Sequence, residues 1–369
     1  MEKMLKRTLG VLLILFIVNE LSGQTKVENL ILITTDGLRW QEIFKGVDTS
    51  ICNNPQFNEN NAASINADYG GPTEKDSREK LFPFLWHEVV SRGQLYGNRS
   101  AGTRVDNDNP YWFSYPGYSE LLTGYVDERV NSNDFENNPN TTILAYLQQQ
   151  KGFNGKVAAF GAWDAFNRIL NEENSGVPVT AAFDPIGGRH PSEREKMLEN
   201  MLADSYKPWG SAECLDVFTH YAAMEYLEKH KPKVLYVAYG ETDEWAHAGK
   251  YKSYLNAAHQ VDEWIKEIWE FVQTDRAYKD KTALLITVDH GRGEGPLWTS
   301  HGKKIAGASQ TWFALLSPNV PPRGEVKTSM QLYQKQLAQL MANLLGFQFK
   351  ADHPIAESVK EVGALTSIK

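Results

Sequence analysis

The stretch "TALLITVDHGRGEGPLWTSHG", residues 282–302, joins two kinds of sequence with different physical demands. Its first seven residues are apolar or β-branched without alternation, which suits a strand buried on both faces of a parallel sheet. The rest sets Asp289, His290 and His301 among four glycines, Gly291, Gly293, Gly295 and Gly302. A turn requires glycines, but it requires neither a carboxylate nor two imidazoles.

Four further runs have the same unalternating character: "NLILITT" (29–35), "KVAAFG" (156–161), "KVLYVAYG" (233–240) and "TWFALLSP" (311–318). Between them lie helical patterns at 79–93, 141–150, 212–230, 251–274 and 329–346. Strands alternating with helices predict an α/β fold: a doubly wound, mostly parallel sheet with helices on both faces. Residues 48–80, 98–110 and 131–141 are rich in Asn, Asp, Gly and Ser and read as loop insertions around the site. In such sheets ligands bind beyond the carboxyl ends of the strands.

Residues 1–24 combine a basic start, the apolar core "LGVLLILFIV" and a small, polar end, the layout of a secretory signal peptide. The alternative is a retained anchor, but the apolar run is short for a bilayer span. An exported chain, periplasmic or secreted, with one catalytic domain over 25–369 and no membrane span in its mature part, is therefore expected. The formal net charge is −8, and the leader carries three basic and two acidic residues, so the remainder is more acidic still. That argues against nucleic acid as a bulk partner. Cys52 and Cys214 are the only cysteines, too few for a disulfide scaffold. Ten tryptophans are a high load, explained either by core packing or by a surface for sugars or bases.

The strand ends carry the chemistry. Asp36 follows the run 29–35, Asp243 and His247 follow 233–240, and Asp289 and His290 follow 282–288, with His301 eleven residues on. In a parallel sheet all of these reach one edge. Singly, Asp36 could cap the helix that begins after it, and Asp243 with His247 could be an exposed i, i+4 pair. Together, three aspartates and three histidines form a ligand set suited to Zn²⁺, with Mn²⁺ or Fe as alternatives. Ser114, in "FSYPGYSELLTGY" (113–125), opens a helix whose N-terminus favours an anion, although a plain capping serine has the same sequence appearance.

In this order the motifs "ITTDG", "SYPGYSELLTG", "TDEWAH", "DHG" and "SHG" resemble the alkaline phosphatase superfamily, in particular its phosphodiesterase/nucleotide pyrophosphatase-like branch. The resemblance spans about residues 27–318. It implies two zinc ions, one held by Asp243, His247 and His301, the other by Asp36, Asp289 and His290 with Ser114 as nucleophile. It further implies hydrolysis of a small phosphate ester, monoester or diester, through a phospho-Ser114 intermediate that water then attacks. Two ions ~3.5–4 Å apart clamp the attacking and leaving oxygens of an in-line displacement, and phosphoryl transfer depends chiefly on such positioning and charge neutralisation.

The departures concern substrate. The branch has asparagine three residues after its nucleophile, whereas this chain has Gly117. Trp163 stands where a monoesterase branch carries a basic pair, and Arg168 and Arg292 are the candidate substitutes for phosphate contact. The sulfatase pattern is matched except at its arginine, here Tyr118, so sulfatase chemistry is the nearest alternative. Phosphonate hydrolysis, phosphotransfer and a catalytically silent metal-binding protein complete the alternatives.

Overall fold

The structure is a computed structural model that describes residues 26–188 and 190–363; the leader read over 1–24 lies outside them. The strands are β1 (Asn29–Thr35), β2 (Gln94–Tyr96), β3 (Thr103–Asp106), β4 (Val157–Gly161), β5 (Val179–Ala181) and β6 (Val234–Tyr239). They continue with β7 (Thr282–Val288), β8 (Gln310–Thr311), β9 (Phe313–Leu316), β10 (Gly324–Glu325) and β11 (Met330–Tyr333). Eight form one sheet in the order β10-β2-β9-β7-β1-β6-β4-β5, and β11-β3-β8 form a second, smaller sheet. From β7 to β5 all pairings are parallel, and β9 is antiparallel to both β7 and β2. The doubly wound, mostly parallel α/β reading holds; the run 311–318 supplies the antiparallel member.

β1 is central because both its faces are apolar. Successive strand side chains point to opposite faces, so Leu30 and Leu32 join Tyr236 and Leu285 in one core, and Ile31 and Ile33 join Val237 and Ile286 in the other. The helix Tyr251–Thr274 covers the second core with Tyr254, Leu255, Ala258, Val261, Ile265, Ile268 and Val272, spaced at three and four residues. The helix Ser114–Thr123 and the late helix Gln336–Leu344 cover the first. Burial of each such aliphatic side chain contributes about 1.5–3 kcal/mol.

Several sequence expectations are corrected. Residues 48–80 are not loop but four short helices, Thr49–Cys52, Pro55–Asn58, Ala62–Tyr69 and Glu74–Leu81. Three begin with a side-chain cap, at Asp48, Asn54 and Thr73, so polar residues that read as loop are helix starts. The helix expected over 79–93 is interrupted at Phe82 and resumes at Pro83, where Asp262 accepts the N–H groups of Phe84 and Leu85 at 2.7 and 2.8 Å. The pattern at 329–346 splits, because Met330–Tyr333 pairs with β3 before the helix starts at Gln336. Within 98–110, Thr103–Asp106 is β3 itself. Cys52 and Cys214 are free and buried. No helix of the described residues is long and apolar enough to cross a membrane.

Candidate active site

β7, β1 and β6 lie side by side, with Thr35 in register with both Val288 and Tyr239. Asp36 and Asp289 are the next residues of their strands, so parallel pairing alone delivers both carboxylates to one edge. Asp36 does not cap the following helix, Trp40–Lys45, whose cap position is Arg39. Its backbone N–H instead binds the Tyr239 carbonyl at 2.9 Å. Asp243 and His247 sit one turn apart on the helix Glu241–His247, whose entry is fixed by Asp216 accepting the N–H groups of Gly240 and Glu241 at 2.7 and 3.0 Å. The loop after Gly291 brings His301 back to the same place.

The resulting distances are short. His290 Nε2 lies 3.2 Å from Asp36 Oδ1, 3.4 Å from Asp289 Oδ2 and 3.3 Å from Ser114 Oγ. His247 Nε2 lies 3.0 Å from Asp243 Oδ2 and 2.9 Å from His301 Nε2. One ligand atom each from Asp36, Asp289 and His290 falls within 4.8 Å of the others, and the same holds for Asp243, His290 and His301. All six ligand candidates and Ser114 therefore converge. His290 stands between the two groups, 3.9 Å from Asp243 Oδ1, a closeness that spacing in the sequence does not reveal.

Ser114 is the first residue of its helix rather than its cap; Phe113 holds the cap position. Its hydroxyl makes no capping bond and is directed to His290. The N–H of Tyr115 is taken by Asn133 Oδ1 at 3.0 Å, so the helix terminus is less open to an anion than the sequence suggested. Buried Glu120, farther along the helix, accepts the N–H groups of Asp108 and Asn109 and fixes the approach to the serine. Trp112, in that approach, has φ +54, a left-handed conformation that a bulky side chain rarely adopts. Its carbonyl accepts the N–H of Gly302 at 2.9 Å, which ties the serine loop to the residue after His301.

The donors fit a cation. Asp36 Oδ1 and Asp289 Oδ2 are buried and accept no hydrogen bond among the described residues. Burial pushes the Asp36 carboxyl up, and the Asp243 charge adds to this; burial and the Asp36 charge push Asp289 well above the usual carboxylate range. His290 is raised to about 9: burial works against its charge, but Asp289 and Asp36 outweigh it. Buried carboxylates crowded around one imidazole form a donor set suited to a cation. His290 Nδ1 lies 2.9 Å from the Gly291 carbonyl, the hydrogen bond that leaves Nε2 facing the carboxylates and Ser114.

Arg292, Arg168 and Trp163, the candidate phosphate contacts, are placed otherwise. Arg292 is 1% exposed; it donates through Nε to the Trp298 carbonyl at 2.8 Å, through Nη2 to the Thr299 carbonyl at 2.7 Å, and through Nη1 to Asp243 Oδ1. Burial works against the Asp243 charge, but Arg292, with His301 and His247, holds its pKa well below the usual range. The Arg168 guanidinium turns to the carbonyls of Asn133 and Phe135. Trp163 is half-buried, bridged through its backbone to Glu213 and edge-on to Phe166. Both guanidinium groups are spent on the protein itself, and Trp163 remains partly exposed.

Two residues that the sequence marked only as departures from family patterns pack against the candidate ligands. Tyr118 is 1% exposed and donates its hydroxyl to Asp36 Oδ2 at 3.0 Å. Its position four residues after Ser114 on one helix face is the signal that could have found it. Gly117 lies against β7: a Cβ there would fall 2.5 Å from the Asp289 carbonyl oxygen. The side-chain amide that the branch has at this point is sterically excluded.

A family model described as the Metalloenzyme superfamily matches residues 213–305, the segment that holds Asp243, His247, Asp289, His290 and His301. No curated protein is significantly similar in sequence. Among solved structures, the chain is similar to BT1596, a 2-O GAG sulfatase, with TM-score 0.56 and 13% identity, covering 90% of this chain and 73% of that one. It is similar to the lipoteichoic acid synthase LtaP from Listeria monocytogenes, with TM-score 0.55 and 13% identity over 92% and 76%. Murine ectonucleotide pyrophosphatase/phosphodiesterase 5, solved as an inactive variant with AMP, gives TM-score 0.52 and 13% identity over 90% and 97%. The chain thus shares the fold of these three proteins, and its residues 213–305 match the Metalloenzyme superfamily model.

Proposed function

We propose that the protein is an exported hydrolase of small phosphoric esters that works through a covalent phospho-Ser114 intermediate, in the phosphodiesterase-like part of its superfamily. The observation that carries this reading is the Ser114 hydroxyl, buried, uncommitted to capping and 3.3 Å from His290 Nε2 beside Asp36 and Asp289. Asp36, Asp289 and His290 would hold one divalent ion and Asp243, His247 and His301 another, with zinc the best match to this mixed carboxylate and imidazole set. When bound, two such ions supply charge neutralisation for the phosphoryl group and lower the pKa of a coordinated hydroxyl.

The chain's own part is positioning. The helix Ser114–Thr123 aims the hydroxyl at the strand edge, and the Trp112–Gly302 bond fixes its approach. Ser114 Oγ lies 3.3 Å from His290 Nε2, on the side of the ion that Asp36, Asp289 and His290 would hold; with Nε2 given to that ion, His290 takes no proton from the serine. Tyr118 occupies the place of the sulfatase arginine and its hydroxyl is committed to Asp36, which favours a phosphoryl over a sulfuryl substrate. The leader-like residues 1–24 support export.

The test is turnover of an aryl phosphate monoester, an aryl phosphate diester and an aryl sulfate by zinc-loaded protein, beside Ser114→Ala. Phosphate ester turnover that disappears with Ser114→Ala, and phosphate trapped on Ser114 in an acid quench analysed by mass spectrometry, are expected. Turnover that survives the substitution would refute the covalent route. Preferential turnover of the sulfate would move the protein to the sulfatase reading.

A further inference from the structure

The two ligand groups differ in what stands behind them. Asp36 and Asp289 are supported by neutral donors only: the Tyr118 hydroxyl on Asp36 Oδ2 at 3.0 Å and the Gly37 N–H on Asp289 Oδ1 at 3.0 Å. Neither carboxylate has a Lys or Arg partner among the described residues; their ionic contacts are to His290. Asp243, the one carboxylate of the other group, carries the Arg292 guanidinium on Oδ1. That guanidinium is held in place by two backbone carbonyls and shut off from solvent, so it cannot swing away. A Cβ on Gly37 would lie 2.8 Å from Arg292 Nη1 and 2.6 Å from Asp243 Oδ1; this glycine, at φ +58, makes room for the pair.

Counted over side-chain charge, with neutral imidazoles, the Asp36, Asp289 and His290 group presents two negative charges to a cation. The Asp243, His247 and His301 group presents one, cancelled by a fixed positive charge at contact distance. Asp36, Asp289 and Arg292 are buried and the Asp243 side chain is 13% exposed, so solvent screens these charges only weakly. We propose that the two ion sites are unequal by construction: the Ser114-side site fills first and holds its ion tightly, while Arg292 keeps the Asp243 site weak and exchangeable. This rests on the two-ion reading above. Asp243 still offers Oδ2, 3.0 Å from His247 Nε2, so the weak site remains a site.

The experiment is zinc titration of the metal-free full chain in competition with a chromophoric chelator, a readout independent of turnover. Two equivalents are expected, the second bound at least tenfold more weakly, and His247→Ala should abolish the weak step alone. Arg292→Met, which keeps length and removes charge, should tighten the weak step at least tenfold and leave the first unchanged. Arg292→Lys, which keeps the charge, should leave the weak step weak, and it serves as the second variant if the Met protein does not fold. Two equivalents of equal affinity in the unaltered protein, or an unchanged or weaker second step in Arg292→Met, would overturn the inequality while leaving two ions in place. Saturation at a single equivalent would overturn the two-ion reading itself.

Discussion

Tyr118 and Asp36 are joined by a hydrogen bond of 3.0 Å, buried one helical turn beyond Ser114. The same helix face thus carries the candidate nucleophile and the hydroxyl that orients a candidate ligand of the neighbouring ion. Tyr118→Phe removes the hydroxyl and keeps the ring, which packs edge-on to Phe166 at 4.8 Å. Loss of such an outer partner typically costs about 10–100-fold in metal affinity or activity. The expected result is a weakened first zinc step and a fall in kcat that excess zinc partly restores. Unchanged affinity would remove Tyr118 from the site.

Gly117 marks the closest approach of the Ser114 helix to β7. Gly117→Ala places a Cβ 2.5 Å from the Asp289 carbonyl oxygen, so backbone must move. Overpacking of this kind costs about 1–3 kcal/mol. A lowered urea midpoint is expected together with at least a tenfold loss of kcat, because the displaced segments carry Ser114 and Asp289. Wild-type stability and rate in the Ala variant would show that the helix can shift without consequence.

Ion loading should release protons. Without a cation, burial and mutual repulsion raise Asp36 and Asp289, and His290 is raised to about 9. At neutral pH the empty site therefore holds protons that a dication displaces, so apparent affinity rises with pH. Zinc added to weakly buffered protein near pH 7.5 should acidify the solution by about one proton or more per protein. Ser114→Ala should leave this intact, and a pH-independent affinity would contradict the assignment of the ligands.

His220 offers a pH test remote from the ligands. It is fully buried, stacked on Trp264, with Nδ1 3.0 Å from the Tyr239 hydroxyl and Nε2 3.2 Å from Glu267. Burial lowers its pKa to about 3. The folded value lies below the unfolded one, so its stabilisation is fully present above about pH 6.5 and is lost as pH falls towards 3. The loss is on the order of 4 kcal/mol across that window. Urea midpoints between pH 7 and 4 should fall less steeply in His220→Phe; equal slopes would mean that His220 is not the group responsible.

Local sequence determined a good deal. The unalternating runs at 29–35, 233–240 and 282–288 determined buried parallel strands, because only a sheet covered on both faces accommodates them. Carboxylates following those runs then had to reach one edge, and the one-turn spacing of Asp243 and His247 had to share a helix face. Tertiary structure decided what depends on residues far apart in the chain. That Arg292 faces Asp243 rather than substrate, that Tyr118 reaches Asp36, and that no side chain fits at 117 follow from packing of the Ser114 helix and the 291–301 loop onto β7 and β1. Composition also misled at 48–80, where caps resemble loop, and at 329–346, where pairing of Met330–Tyr333 with β3 overrode a helical pattern. Strand identity and periodicity are local consequences of side-chain hydrophobicity, whereas strand order and the partner of a buried polar group are selected by groups distant in the chain.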